Sequence, residues 1–582
     1  MTAETVGVWQ EVEIELTTQR NYPNPYTDVT VWVELSGPGF RKRCYGFWDG
    51  GRKWRVRVLA TAPGTWSWRS AAEPADARLA GQAGQFTARA WSDQEIAANP
   101  NRRGFVVATP NGHALQYADG EPFFLMGDTW WSAPSFRFPW YDDDAPRPVG
   151  PEWGFKDMVR FRKAQGFNSV AMLAAHPAWA NDGQPAVIEM PDGTAIREAW
   201  KHPGTGSCKD MHNEGGRPFE FPGKVPGFED VYPDVDRINP DYFRFMDRKV
   251  AYLCEQGFVP FLEAMRRDAS QPWKKFYDWP ESYVRYIQYV WSRCQARNVI
   301  LSPIHFDWMG HSIPPREYNE PANLVIDRYG PPPFGNLVSA NACASTLAHF
   351  GGADEARWLT MHQTGNWREH DHYWYLTEMY HAEPPRPALN GEPYYSGLDL
   401  EGQLGAPGGS EIDDRWTRSG MYGCFLSGGL AGHIYGAEGI WGANIEDEHP
   451  LKMWDAFQWN SANMFRPFAK FVFSEGLRYR ELVPNADLIV PNRTQETWAY
   501  DGWSYCARTP DRSLFMVHFE KGCKPICLRG GLHDASYRAQ WFNVRTGEWI
   551  DAGVLQSNCL ERIALPALPG DDDWALKLTL TE

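Results

Sequence analysis

The chain lacks the marks of several large function classes. It has no stretch of roughly eighteen apolar residues, so no membrane partner is expected. No Lys/Arg-rich run appears, and 73 acidic residues outnumber 57 basic ones, giving a net charge of −16. Phosphate backbones need a basic stripe, so nucleic acid is not an expected partner either. Ten cysteines are scattered without a CxxC pair. The nearest two, Cys523 and Cys527, have no His-rich motif beside them, so no zinc site is expected. HExxH, a P-loop and a strand-borne GxGxxG are also missing, and no metal or organic cofactor is implied. The start, Met1-Thr-Ala-Glu-Thr-Val-Gly-Val-Trp9, has neither the basic nor the apolar region of a leader. The expected location is cytoplasmic, or secreted if a leader has been removed. Oligomeric state is not legible.

What is present is a large, aromatic-rich chain. At 582 residues it exceeds one compact domain, and 43% hydrophobic residues can build a sizeable core. Aromatics make up 15%, with 29 Trp. Most serve a core, but rings placed at strand exits stack well on the C–H faces of sugars.

Three regions differ in periodicity. Residues 1–95 alternate with period two, as in Trp9-Gln-Glu-Val-Glu-Ile-Glu-Leu16, Val29-Thr-Val-Trp-Val-Glu-Leu35 and Trp54-Arg-Val-Arg-Val-Leu59. Gly/Pro turns separate these runs, predicting an antiparallel β-sandwich. From 100 to 475, apolar bursts alternate with amphipathic segments. Phe123-Phe-Leu-Met-Gly-Asp128, Gly166 to Leu173, Gly257 to Glu263, Asn298 to Pro303 and Trp358 to His362 read as strands. Phe155 to Gln165, Tyr242 to Gln256, Glu281 to Gln295, Tyr373 to Tyr380 and Arg415 to Ser427 read as helices. That rhythm predicts a (β/α)8 TIM barrel. From 477 to 582 strand alternation returns, with Arg545-Thr-Gly-Glu548 as a hairpin turn, predicting a second antiparallel β-sandwich. The fold class is therefore multidomain, α/β plus all-β.

In a β/α barrel the strand exits form the catalytic face. Glu392 projects from one such exit, where Asn390-Gly391 ends a short strand and Tyr394 and Tyr395 follow. Helix capping or a buried ion pair would use the same residue type. A retaining glycosidase needs a second carboxyl roughly 5 Å away, one acting as nucleophile and one as acid/base. Strand four, three βα units before the Glu392 strand, is where the partner is expected. Asp307, 85 residues upstream of Glu392, fits that position and stands beside His305 and Trp308.

The other exits offer substrate-binding candidates. Asp128 is placed to bond sugar hydroxyls, with Trp130 or Trp131 as a floor. His176 is a possible hydroxyl donor, and His362 a partner that orients Glu392. Trp367, Tyr395, Tyr435 and Trp441 are candidate walls. Glu438 is the chief rival to Glu392. Glu263 and Arg266 read as ion-pair members. The 177–240 loop, with Trp200, Lys201 and His202, is a candidate roof.

These motifs resemble those of the apiosidase-like barrel family of glycoside hydrolases, related to the large clan of retaining (β/α)8 enzymes. The likeness rests on Gly127-Asp-Thr-Trp-Trp131, Leu359-Thr-Met-His-Gln-Thr-Gly365, Leu389-Asn-Gly-Glu-Pro-Tyr-Tyr395 and Ala431-Gly-His-Ile-Tyr-Gly-Ala-Glu-Gly-Ile-Trp441, over residues 105–470. It implies a Glu nucleophile, falling on Glu392, and a strand-four acid/base, falling on Asp307. The larger clan has Asn-Glu where this chain has Phe306-Asp307. Bulky Ile304-His305-Phe306 stands where the apiosidase branch carries small Gly residues, reshaping the subsite beside the acid. The resemblance implies hydrolysis of a glycosidic bond in an oligo- or polysaccharide. A non-catalytic carbohydrate-binding protein and a polysaccharide lyase are the alternative readings.

Overall fold

A computed structural model describes residues 5–175, 187–189, 195–197, 212–220, 234–266, 273–274, 277–306, 313–365, 370, 372–398, 407–447, 450–494 and 500–581. The protein is mixed α/β, a TIM-like region accompanied by β domains. The TIM-like region holds an eight-stranded sheet: β1 (Leu125–Thr129), β2 (Ser169–Ala175), β3 (Phe261–Met265), β4 (Ile300–Ser302), β5 (Ala344–Ser345), β6 (His362–Gly365), β7 (Ala388–Glu392) and β8 (Gly432–Tyr435). The order across the sheet is β4-β3-β2-β1-β8-β7-β6-β5. All neighbours are parallel except β5 and β6.

The sheet curls because residues 337–342 bridge its two ends. Leu301 N donates to Leu337 O at 2.8 Å, and Ser339 N to Leu301 O at 2.9 Å. On the other side, Thr360 N and Met361 N both donate to Val338 O. The sequence reading had no strand here, and it started the sixth strand at Trp358 rather than at His362.

Helices follow the strands: α1 (Phe155–Gln165), α2 (Pro240–Glu255), α3 (Glu281–Cys294), α4 (Asn319–Tyr329), α5 (His372–Tyr380) and α6 (Glu411–Leu426). The last begins four residues earlier than its apolar spacing predicted, because the Ser410 side chain accepts from Asp413 N and caps it there. Both faces of the strands are covered, as parallel sheets require. Leu125, Ala171, Leu173, Phe261, Ile300, Leu337, Met361, Leu389 and Ile434 form the inner cluster. Val106, Leu115 and Phe123 join it from a small three-stranded sheet immediately before β1. Outward side chains such as Met172, Leu262, Leu301 and Tyr435 meet the helices in a second, larger cluster.

The N-terminal region has a five-stranded and a three-stranded sheet around one apolar core. It is not wholly antiparallel, since Thr5–Gly7 pairs parallel with Ala83–Arg89. The run predicted from Trp9 is broken, because Trp9 sits at φ 62° in a turn and the strand starts at Val12. The C-terminal region has six-stranded and three-stranded sheets, antiparallel throughout the described pairs, with the expected hairpin between Ser536–Asn543 and Glu548–Gln556. Among the described residues no helix is long and apolar enough to cross a membrane.

Buried ion pairs fasten both β regions to the helices. Arg57 Nη2 and Arg293 Nη2 donate to Asp247 Oδ2 at 2.8 and 2.7 Å, and Arg293 also reaches Asp49. Arg418 of α6 grips Asp573 through two 2.8 Å bonds. Burial pushes the Asp247 carboxyl up, but Arg293, Arg57 and Arg297 pull it down to about 2. Its folded value thus lies below its ordinary one, so its stabilisation is full above about pH 4 and is lost as pH falls toward about 2. Removing the charge leaves two buried guanidinium groups short of a partner. Asp247→Asn is expected to cost about 3–5 kcal/mol, lowering the thermal midpoint at pH 7. It is also expected to flatten the fall of that midpoint between about pH 4 and pH 2, both read by calorimetry.

Candidate active site

Alternation along each strand decides which side chains face the ring and which face the helices. The carboxyl ends of five strand segments send polar or aromatic groups inward to one place: Trp131 after β1, Glu263 on β3, His305 after β4, Asn341 in the 337–342 segment, and Glu392 on β7. Tyr395, in the turn after β7, joins them.

Glu392 reaches this position through a bulge. Thr364 pairs with Asn390 but Gly365 pairs with Glu392, so Gly391 is the extra residue. Leu389 faces the inner cluster and Asn390 faces α6, where its Nδ2 donates to Cys424 Sγ. Strict alternation would send Glu392 outward as well. The bulge resets the phase and aims it inward. Gly391 is needed because a Cβ there would overlap the amide oxygen of buried Gln363.

The Glu392 carboxylate is 8% exposed, and both its oxygens accept hydrogen bonds. Tyr395 OH donates to Oε1 at 2.9 Å and Asn341 Nδ2 to Oε2 at 2.9 Å. Trp131 Nε1 in turn donates to Tyr395 OH at 3.2 Å. Burial, then the Glu392 charge, holds the Tyr395 phenol well above its ordinary value, so it remains a donor. Glu263 lies alongside: its Oε1 accepts from Asn341 N at 2.7 Å, and its Oε2 pairs with His305 Nδ1. The His305 ring meets Trp131 edge-on, with centroids 4.3 Å apart. Glu438 and Trp441, after β8, are both partly exposed, and Trp441 Nε1 donates to Glu438 Oε2 at 2.9 Å.

Four expected site residues point elsewhere. Asp128 is 0% exposed, and its Oδ2 accepts from Arg162 Nε at 2.6 Å and Trp130 Nε1 at 2.7 Å. It is a buried ion-pair member facing α1, not a hydroxyl ligand. Trp130 packs outward on Phe138, Phe155 and Phe457. His362 bonds Thr346 Oγ1 at 2.8 Å rather than Glu392, and burial, with Arg386 nearby, drives it down to about 3, leaving a neutral ring. Tyr435 faces the helices and bonds Ser461 Oγ at 2.9 Å. His176, Asp307, Trp308 and Trp367 lie outside the described residues, as do Trp200, Lys201 and His202.

Asn341 was not anticipated, although Leu337-Val-Ser-Ala-Asn341 alternates after the Gly335-Asn336 breaker and carries the signal of a strand. Glu263 was read as an ion-pair member, which its contact with His305 fits.

With this geometry in place, a sequence profile described as apiosidase-like, catalytic domain, matches residues 109–476. The chain belongs to the apiosidase-like family. It is a glycoside hydrolase. Residues 5–73 match a domain of unknown function, DUF5060. No curated protein matches the chain. Among solved structures, a putative glycoside hydrolase from Bacteroides vulgatus superposes with a TM-score of 0.62 at 15% identity, over 99% of this chain and 100% of that one. A glycoside hydrolase family 5 protein from the same organism gives 0.57 at 15% identity, over 83% and 94%. A further glycoside hydrolase gives 0.56 at 14%, over 83% and 98%. At these identities the structures testify to the shared fold.

The bulge makes the placement of Glu392 in the apiosidase-like domain sensitive to one hydrogen atom. Gly391→Ala is expected to lower kcat about 10²-fold while the thermal midpoint stays within a few degrees. Combining it with Gln363→Ala, which removes the obstructing amide, should recover most of the loss. Single-variant and double-variant turnover of the same aryl glycoside decides this; equal loss in both would refute steric displacement.

Proposed function

We propose that the protein is a retaining glycosidase in which Glu392 is the nucleophile and Asp307 the acid/base. We also read its architecture as a (β/α)8 barrel, residues 100–475, between two β-sandwich domains, residues 1–95 and 477–582. The observation that carries the catalytic reading is the pair of 2.9 Å donors on Glu392 at a strand's carboxyl end. Donors to the charged form favour it, and an ionised carboxylate is what attack at an anomeric carbon requires.

Asp307 enters by chain direction. His305 is inward, and Phe306 packs outward against Tyr318 and Phe350. This in-and-out alternation along the chain supports Asp307, the next residue, as the partner of Glu392. Asp307, protonated, donates to the leaving oxygen as Glu392 attacks and forms a glycosyl-enzyme. Asp307 then takes a proton from water, whose oxygen displaces Glu392 and releases the sugar with its original anomeric configuration.

The substrate is a glycoside of an oligo- or polysaccharide. Trp131, Tyr395 and Trp441 offer apolar faces for the ring, and Glu438 a hydroxyl acceptor. Ile304 and Phe306 pack in the outer cluster, so of the bulky segment before Asp307 it is His305 that narrows the subsite compared with a glycine-lined one.

A panel of para-nitrophenyl glycosides identifies a working substrate, and proton NMR of fresh product reads its anomer. Retention is expected; inversion would refute the double displacement. Glu392→Gln should abolish turnover with the fold intact, and residual activity near that of the unaltered enzyme removes Glu392 as nucleophile. Asp307→Asn is expected to lower kcat about 10²–10⁴-fold on natural linkages. The loss should be smaller on nitrophenyl glycosides, whose leaving group needs little protonation.

A further inference from the structure

We propose that Asp413 is a positioning residue for Glu392, fixing the turn 394–397 so that Tyr395 OH is held on the carboxylate. This rests on the reading of Glu392 as nucleophile. Asp413 lies in the first turn of α6 and is 0% exposed. Its two oxygens accept from both sides of Tyr395. Tyr394 OH donates to Oδ1 at 2.8 Å and Gly397 N to Oδ1 at 2.8 Å, while Ser396 Oγ donates to Oδ2. Gly409 N adds a fourth bond to Oδ2 at 3.1 Å.

The four residues after Pro393 are thereby constrained, with Tyr394, Ser396 and Gly397 bound to Asp413 and Tyr395 pointing the opposite way. The far side of Tyr395 is closed as well, because a Cβ at Gly436 would overlap its ring. Ser396 Oγ also meets Ser461 Oγ at 2.7 Å, and Ser461 meets Tyr435 OH. This connects the turn to β8 and gives Tyr435 a structural place in the same network.

A buried carboxylate needs a reason to remain. Burial pushes the Asp413 carboxyl up, and its hydrogen bonds from Ser396, Gly397, Tyr394 and Gly409 act against that. Helix N-termini favour negative charge, which makes the first turn of α6 a suitable mount. A Tyr395 displaced by 1 Å would cost Glu392 the donor on Oε1. The charged form would then be less favoured and the reacting oxygen less well aimed.

Two readouts test this. The first is kcat against KM on the active aryl glycoside. The second needs no substrate: the pH midpoint for carbodiimide labelling of Glu392, followed by peptide mass spectrometry. Among the described residues, the titratable groups facing Glu392 include Tyr395 and the Glu263–His305 pair, which meets the same Asn341; Asp307, the proposed acid/base, is a further group whose titration both variants share. Tyr395→Phe sets the reference, with a midpoint expected about one pH unit higher. Asp413→Asn is expected to lower kcat about 10–10²-fold with KM within about twofold. It also removes a charge, which acts on the midpoint in the opposite sense. The combined Tyr394→Phe/Ser396→Ala variant keeps that charge, cuts two of the four ties, and carries the decision. A midpoint raised toward that of Tyr395→Phe, with reduced kcat and unchanged KM, supports the proposal. A folded double variant with the unaltered midpoint and kcat overturns it, even if Asp413→Asn fails to fold. Should Glu392→Gln stay active, the nucleophile reading fails separately, and the labelling midpoint still decides whether Asp413 sets Tyr395 on Glu392.

Discussion

A carboxylate at the mouth of an apolar ring is unstable as an anion unless its lost hydration is replaced. At Glu392 donors replace it, among them a phenol from the turn after β7 and an amide from the 337–342 segment. Much of the neighbouring structure serves that requirement. The bulge at Gly391 turns the carboxyl inward, and Trp131 orients the phenol. Glu263 fixes the backbone of Asn341 and, through its other oxygen, the Nδ1 side of His305. Each contact is modest, with net worth of about 1–3 kcal/mol for a hydrogen bond to a charged group. Their value lies in geometry, because a carboxylate held within a fraction of an ångström, as the proposed nucleophile would be, avoids the reorganisation that water would impose.

The flanking regions apply the same rule to domain placement. Asp247 and Asp573 are buried carboxylates whose charge is met by arginines from helices of the TIM-like region or from the adjoining sheet. Replacing such pairs with apolar side chains often leaves stability unchanged, whereas removing one partner is costly. An interface built on them is therefore selective in orientation. Apolar surfaces can slide, but a bidentate Arg418–Asp573 pair fits one arrangement.

The sequence was most legible where one physical pattern dominated. Period-two runs marked the outer sheets, and the burst-and-helix rhythm marked the βα units, because each buries a face with its own periodicity. It was least legible where both faces of a strand are buried. In Gly127-Asp-Thr-Trp-Trp131 and Met361-His-Gln-Thr364, polar and aromatic residues occupy inward and outward positions alike, so residue type alone cannot assign a direction. Asp128 and Tyr435, expected to face the sugar, and His362, expected to orient Glu392, make their contacts elsewhere. Glu392 was singled out because Asn390-Gly391 interrupts its strand. The same dipeptide that signalled an exit also supplies the bulge. The 337–342 segment escaped notice because it is bridged by isolated pairs rather than a long ladder, and Asn341 escaped with it.

Asp128 and Glu392 show how far context, not residue type, decides a carboxylate's work. Both stand near the carboxyl ends of parallel strands, both are nearly inaccessible, and both accept hydrogen bonds from side chains. Asp128 faces outward and meets a guanidinium, a full positive charge that makes its electron pairs poor nucleophiles and ties β1 to α1. Glu392 accepts from a phenol and an amide, donors that favour its charge without cancelling it. In the proposed reaction such donors leave the anion's field to act on the developing positive centre of an oxocarbenium-like transition state. One residue of phase along a strand separates the two environments, and at Glu392 that phase is set by a single glycine.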